Sequence, residues 1–150
     1  MKYLIVILLF FAQQAFGVGR VQSDQFELNN KVVINENEEY ELHVSLTNLS
    51  GETLTLDSAF LPWVSNRVVK KIILNGSLIE RLFPIGNYSH DRIELQNDET
   101  IKEVIPFSEL IIFEDIPKKI NMELFWSYEL EDVDGVNYGY KSGRINYPKK

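Results

Sequence analysis

Ser89-His90-Asp91 sets a hydroxyl, an imidazole and a carboxylate side by side, the three groups of a nucleophile, a base and an orienting acid. Adjacency does not make them a catalytic array, because such a triad is assembled by the fold from separated positions. The run Gly86-Asn87-Tyr88-Ser89-His90-Asp91 reads instead as a polar turn, without the elbow that exposes a serine nucleophile. His43 is the only other histidine, and its distance from His90 along the chain matches no metal-ligand spacing. Asp132-Val133-Asp134-Gly135-Val136-Asn137 has the alternating oxygens and the glycine that begin a calcium loop. The bidentate glutamate that closes such a loop is missing, since Tyr138-Gly139-Tyr140-Lys141 follow. An acidic turn between two strands accounts for the same residues. Catalytic residues, metal and cofactor are all expected to be none.

Asn48-Leu49-Ser50, Asn75-Gly76-Ser77 and Asn87-Tyr88-Ser89 match the N-glycosylation sequon, each in a predicted turn. Two stretches are apolar where a connection should be polar: Phe60-Leu61-Pro62-Trp63-Val64, and Ile105-Pro106-Phe107 with Leu110-Ile111-Ile112-Phe113. Pro62 and Pro106 limit ladder pairing, so these segments read as crossovers or edges. Their large side chains either plug the ends of a β-fold or form an exposed patch for a protein partner. Tyr138 and Tyr140, two apart, share one face of a final strand that could recruit a partner strand if it lies at an edge. The candidate partner-binding residues are therefore Phe60, Leu61, Trp63, Phe107, Tyr138 and Tyr140.

The elements that must position them read as short strands. From Glu39 to Asn48 the apolar Tyr40, Leu42, Val44 and Leu46 alternate with Glu41, His43, Ser45 and Thr47, which puts one face in a core and leaves the other wet. Asn48-Leu49-Ser50-Gly51 then leads into Glu52 to Leu56, and the two segments read as a strand–turn–strand unit. Arg67 to Leu74 and Ser77 to Phe83 flank Asn75-Gly76, a hairpin signal because both residues tolerate positive φ. Arg92 to Leu95 and Thr100 to Ile105 flank the turn Gln96 to Glu99. From Lys119 to Leu130 the apolar face is Ile120, Met122, Leu124, Trp126, Tyr128 and Leu130, with Phe125 alone among polar neighbours. Asn137 to Tyr147 closes the series, Phe26-Leu28 with Val32 to Ile34 opens it as a first strand region, and Ser108 to Phe113 allows one turn of helix. No segment after the first keeps a 3.6-residue period. Seven to nine strands predict an all-β fold, an antiparallel immunoglobulin-like sandwich, with a small barrel as the alternative.

The first segment reads as an address. Lys2, the apolar run Leu4 to Ala12 and the small-residue site Ala15-Phe16-Gly17 predict a cleaved signal peptide over 1–17 and a single domain over 18–150. Nine apolar residues span about half of a ~30 Å hydrocarbon core, so no membrane insertion is expected after cleavage. The protein is expected to be exported, periplasmic or extracellular.

The 150 residues carry 15 basic and 22 acidic side chains, a net charge of −7, which argues against nucleic acid as a partner. Loss of Lys2 with the signal segment takes the charge to −8. The absence of cysteine excludes disulfides, thiolate metal sites and a lipid-anchoring cysteine, and suits a bacterial compartment. Acids crowd at Glu36 to Glu41 and Glu129 to Asp134, a pattern able to steer a basic partner but more usually just a solvated surface.

Leu46-Thr47-Asn48-Leu49-Ser50-Gly51-Glu52-Thr53-Leu54, with Leu61-Pro62-Trp63 after it, resembles small exported bacterial immunoglobulin-like domains. Ile93-Glu94-Leu95 with the turn to Thr100, and Phe125-Trp126-Ser127-Tyr128, are similar to their late strands. The resemblance implies a binding or accessory protein, inhibitors and immunity proteins included, and no catalytic residues. The expected function is thus a non-catalytic protein that contacts another protein. The alternatives are a structural or assembly subunit of a bacterial surface apparatus and, less favoured, an enzyme whose site is scattered over strands.

Overall fold

The computed structural model describes residues 22–112 and 120–148. The expected signal segment and Phe113 lie outside the described residues. Nine strands follow in chain order: β1 (Phe26–Ile34), β2 (Tyr40–Asn48), β3 (Leu54–Asp57), β4 (Val69–Leu74), β5 (Ser77–Ile79), β6 (Arg92–Leu95), β7 (Thr100–Pro106), β8 (Met122–Glu131) and β9 (Asn137–Tyr147). Two 3-10 turns, Ser58–Phe60 and Val64–Asn66, lie between β3 and β4, and one helical turn, α1 (Phe107–Leu110), follows β7. The strands form three sheets, ordered β1-β2-β7, β3-β6 and β5-β4-β8-β9, with every ladder antiparallel. The fold is all-β, as the alternation predicts, and it fits a sandwich.

Side-chain period sets the layering. The even positions of β2, Tyr40 to Leu46, are buried while the odd positions are half-exposed. Phe26, Leu42 and Leu46 from one sheet meet Ile72, Leu124 and Leu130 from another in a single core. The rings of Phe26 and Tyr128 meet edge to face across it at 6.3 Å. Burying each such side chain is worth about 1.5–3 kcal/mol. Phe125, the apolar residue on the outer face of β8, sits between two cations. Lys71 Nζ lies 5.6 Å and the Arg144 guanidinium 6.0 Å from its ring centre.

The Asn75-Gly76 hairpin forms as predicted, with φ of 50° and 83°, and joins β4 to β5 through the pair Leu74↔Ser77. Two other expectations are corrected. The strand expected to run to Phe83 ends at Ile79, because Arg81 leaves the β4 ladder and bridges Ile111. The segments around Asn48 to Gly51 do not form a hairpin: β3 pairs with β6, from Leu54↔Leu95 to Asp57↔Arg92, and β2 lies between β1 and β7. Alternation specifies a strand's faces but not its neighbour, and the buried Asn48 decides the path here. Its Nδ2 donates to Glu52 O at 2.7 Å and Leu95 O at 2.9 Å. Its N–H donates to Glu99 O and its carbonyl accepts from Asp98 N. The β2–β3 and β6–β7 connections therefore cross between sheets side by side, and Gly51 N–H donates to Asn97 Oδ1 between them at 2.8 Å.

Candidate interaction surface

From Leu82 to Asp91 the chain adopts neither helix, strand, turn nor bend. Pro84 and Gly86 bracket Ile85, whose side chain is fully exposed at 102%. Phe83 beside it is 61% exposed and packs under the Arg81 guanidinium at 4.4 Å. Arg81 is held in turn by donating to Val69 O.

Both stems of this segment are tied to the body. On the incoming side Leu82 N–H donates to Leu110 O at 2.9 Å, and Asn66 Nδ2 donates to Leu82 O at 3.1 Å. At the centre Ser65 Oγ and Tyr88 Oη both donate to Pro84 O, at 3.2 and 2.8 Å. On the outgoing side Ser58 Oγ donates to Ser89 O at 2.6 Å and accepts from Asp91 N–H at 3.0 Å. Ser65 and Asn66 stand at φ 53° and 54°, two successive non-glycine residues in the left-handed region. That conformation costs about 1 kcal/mol or more per residue and persists only where the surroundings over-determine it. Asn66, 2% exposed, is fixed by a second bond from Nδ2 to Glu109 O at 2.7 Å.

Asp57 joins the segment to the turn that carries Phe60. Its Oδ1 caps the 3-10 turn by accepting from Ala59 N–H at 2.9 Å, and its Oδ2 lies 2.8 Å from His90 Nδ1. The His90 bond, and then the Ala59 N–H, hold the Asp57 carboxyl below its ordinary value. Phe60 is 51% exposed, its ring 6.1 Å from that of His90 and 4.9 Å from the Arg67 guanidinium. Tyr128 Oη donates to Phe60 O at 2.9 Å. A half-open recess of about 620 Å³ adjoins, lined by Asp57, Phe60, Arg67, the end of β8 at Tyr128, Glu129 and Glu131, and the turn Asp132 to Gly135. Five acidic residues, Asp57, Glu129, Glu131, Asp132 and Asp134, line it with a single arginine, Arg67.

The sequence candidates are dispersed by the fold. Phe60 is exposed on this surface, whereas Leu61 and Phe107 are buried in the core and Trp63 packs half-buried against it. Tyr138 is buried, its Oη 3.1 Å from Glu52 Oε1 and 3.3 Å from Asp132 Oδ2. Burial first, and then the two carboxylates, push its phenol up to about 12. Tyr140 is half-buried and does not share a face with Tyr138 in practice, because Gly139 between them has φ 101° and carries Ser23 against it. Ile85 and Phe83 carry the exposed surface instead. Their signal was an apolar run without alternation, cut by Pro84 and Gly86.

Ser89 Oγ donates to Asp91 Oδ2 at 2.5 Å and His90 turns to Asp57, so the tripeptide builds stem contacts and not a nucleophile–base pair. Asp132 Oδ1 accepts from the N–H groups of Asp134 and Val136, at 2.9 and 2.8 Å, which folds the acidic segment into a self-bonded turn. Among the described residues no three histidine or carboxylate side chains are grouped to hold a metal. On the strand face His43 pairs with Glu41 at 2.9 Å and, with Asn35, holds that carboxyl low. Of the sequon asparagines, Asn75 and Asn87 are exposed and Asn48 is buried. Among the described residues no helix is long and apolar enough to cross a membrane. Comparison with known protein families, curated proteins and solved structures finds no match to this chain.

Proposed function

We propose that the chain is an exported, non-catalytic protein of the periplasm or extracellular space that acts by contact with another protein, as an inhibitor or immunity factor does. The observation that carries this reading is the exposure of Phe60, Phe83 and Ile85 on two segments tied together by the Ser58–Ser89 and Asp57–His90 bonds. Single exposed apolar residues are ordinary, whereas several held together mark interaction sites. Rigid presentation adds to the argument, since ordering a loop before binding lowers the entropy lost on association. Export rests on Lys2, the run Leu4 to Ala12 and Ala15-Phe16-Gly17. An immunoglobulin-like arrangement is supported by short antiparallel strands around one core.

The test uses the chain and its Phe83→Ser, Ile85→Asp double variant, immobilised equally and exposed to periplasmic and secreted fractions of the source cells. The expected result is one partner retained near 1:1 by the native chain and lost with the variant, at unchanged melting temperature. Equal retention by both, or retention by neither, overturns the binding reading. Sequencing of the isolated protein should begin at Val18, and a Met1 terminus overturns export.

A second reading, an assembly subunit joined by strand addition, is favoured by β7, a mostly exposed strand that among the described residues is paired on one side only, to β2. Light scattering separates the two: a concentration-independent monomer is expected of the first, and growing oligomers of the second.

A further inference from the structure

Resting on the binding reading above, we infer that Leu82–Ser89 is a substrate-like segment, one that seats Ile85 in the apolar primary pocket of an endopeptidase cleft. Three observations lead there. The first is shape: the surface is convex at Ile85, whose side chain stands entirely outside the fold, so its counterpart is a cavity and not a flat face.

The second is the main chain. The N–H groups of Ile85, Gly86 and Asn87 make no hydrogen bond with any described residue. A peptidase cleft recognises a short unfolded stretch by pairing its backbone as an added strand would, and by taking one side chain into a pocket. Pro84 before Ile85 fixes φ, and Gly86 after it leaves room for the Tyr88 ring, which lies 3.3 Å from where a side-chain carbon would stand and packs the segment beneath Ile85. The third observation is bracing. Pro84 O, at the residue preceding Ile85, receives two hydroxyl hydrogens, and the stems on either side are bonded to Asn66, Leu110 and Ser58. A flexible substrate loop has no need of such supports, nor of two left-handed residues held to supply them. A loop that must remain in place once bound does.

The recess at Asp57 and Phe60, joined to the outgoing stem through the Asp57–His90 bond, adds a charge requirement. With five carboxylates to one guanidinium, it complements a basic rim on the partner, which speeds encounter at low ionic strength.

The experiment measures inhibition of three purified serine endopeptidases by the full chain: an elastase and a subtilisin, with apolar primary pockets, and trypsin, whose pocket takes a cation. Competitive inhibition of the elastase or the subtilisin is expected, with trypsin unaffected and the loop intact by mass spectrometry. Ile85→Asp should weaken it about a hundredfold, the loss typical of an anchor residue. Ile85→Lys should transfer inhibition to trypsin, a gain that misfolding does not produce. Raising the salt concentration should slow association. No inhibition by micromolar protein, equal inhibition by Ile85→Asp, or rapid cleavage of the segment without inhibition overturns the inference. If a partner is captured through Phe83 and Ile85 while all three enzymes run unhindered, the binding reading stands and the peptidase inference alone falls.

Discussion

At the scale of single residues, buried polar groups separate positions that the sequence makes look alike. Tyr138 and Tyr140 are both tyrosines on β9, yet Tyr138 is buried against two carboxylates and Tyr140 is not. A phenol whose folded-state value is raised to about 12 keeps its proton after the unfolded chain has lost its own near 10. The unfolded state then binds fewer protons, so stability holds below about pH 10 and falls between about 10 and 12. Tyr138→Phe should shrink that alkaline loss, read as a smaller drop in urea midpoint between about pH 9 and 11. An undiminished drop would place the effect on Tyr128 or Tyr40, whose phenols burial also raises. None of this was legible in the sequence, because a tyrosine's partners come from Glu52 and Asp132, on other segments. Asn30 makes the same point inversely. Its amide is buried in β1 with no hydrogen-bond partner among the described residues, although the alternation there implied only a strand.

Elements were read well where a local rule governs them and poorly where the choice of neighbour does. The β4–β5 turn needed two residues tolerant of positive φ, and Asn75-Gly76 announces it. The pairing of β8 with β9 has a less visible determinant in Gly143, opposite Trp126. A side-chain carbon placed on Gly143 would lie 2.6 Å from the indole Cζ2, so the indole occupies the space that glycine leaves. Gly143→Ala should force Trp126 aside and cost about 1–3 kcal/mol, the usual penalty of overpacking. Chemical denaturation measures the loss, and a shifted tryptophan emission distinguishes indole displacement from a general weakening of the sheet. Emission and stability both unchanged would mean that the strands separate freely at this point. The failed hairpin after β2 belongs here too: Asn48-Leu49-Ser50-Gly51 has turn chemistry, but its direction is decided by the carbonyls of Leu95 in β6 and of Glu99 after it, far along the chain.

For the whole molecule, one core and three sheets set a buried asparagine at the centre of two crossovers. Every polar group of Asn48 is engaged: its N–H with Glu99, its carbonyl with Asp98, its Nδ2 with Glu52 and Leu95, and its Oδ1 with Ser50. Asn48→Ala should cost about 2 kcal/mol, because the buried Leu95 O loses its side-chain donor while Glu52 O keeps Ser50 Oγ at 3.2 Å, and the loss is measurable as a lowered urea midpoint with the unfolding slope kept. A loss below about 1 kcal/mol would show that water replaces the amide. The all-β class and most strand boundaries followed from alternation and turn residues, whereas the surface around Ile85 depended on supports from Ser58, Ser65 and Asn66 that no local pattern reveals. Asn48 also heads an Asn-Leu-Ser triplet, and a eukaryotic secretory pathway attaches its oligosaccharide to the growing chain before any sheet exists. A sugar placed there would hold the two crossovers apart permanently. A chain glycosylated at Asn48 should therefore fail to reach this packing.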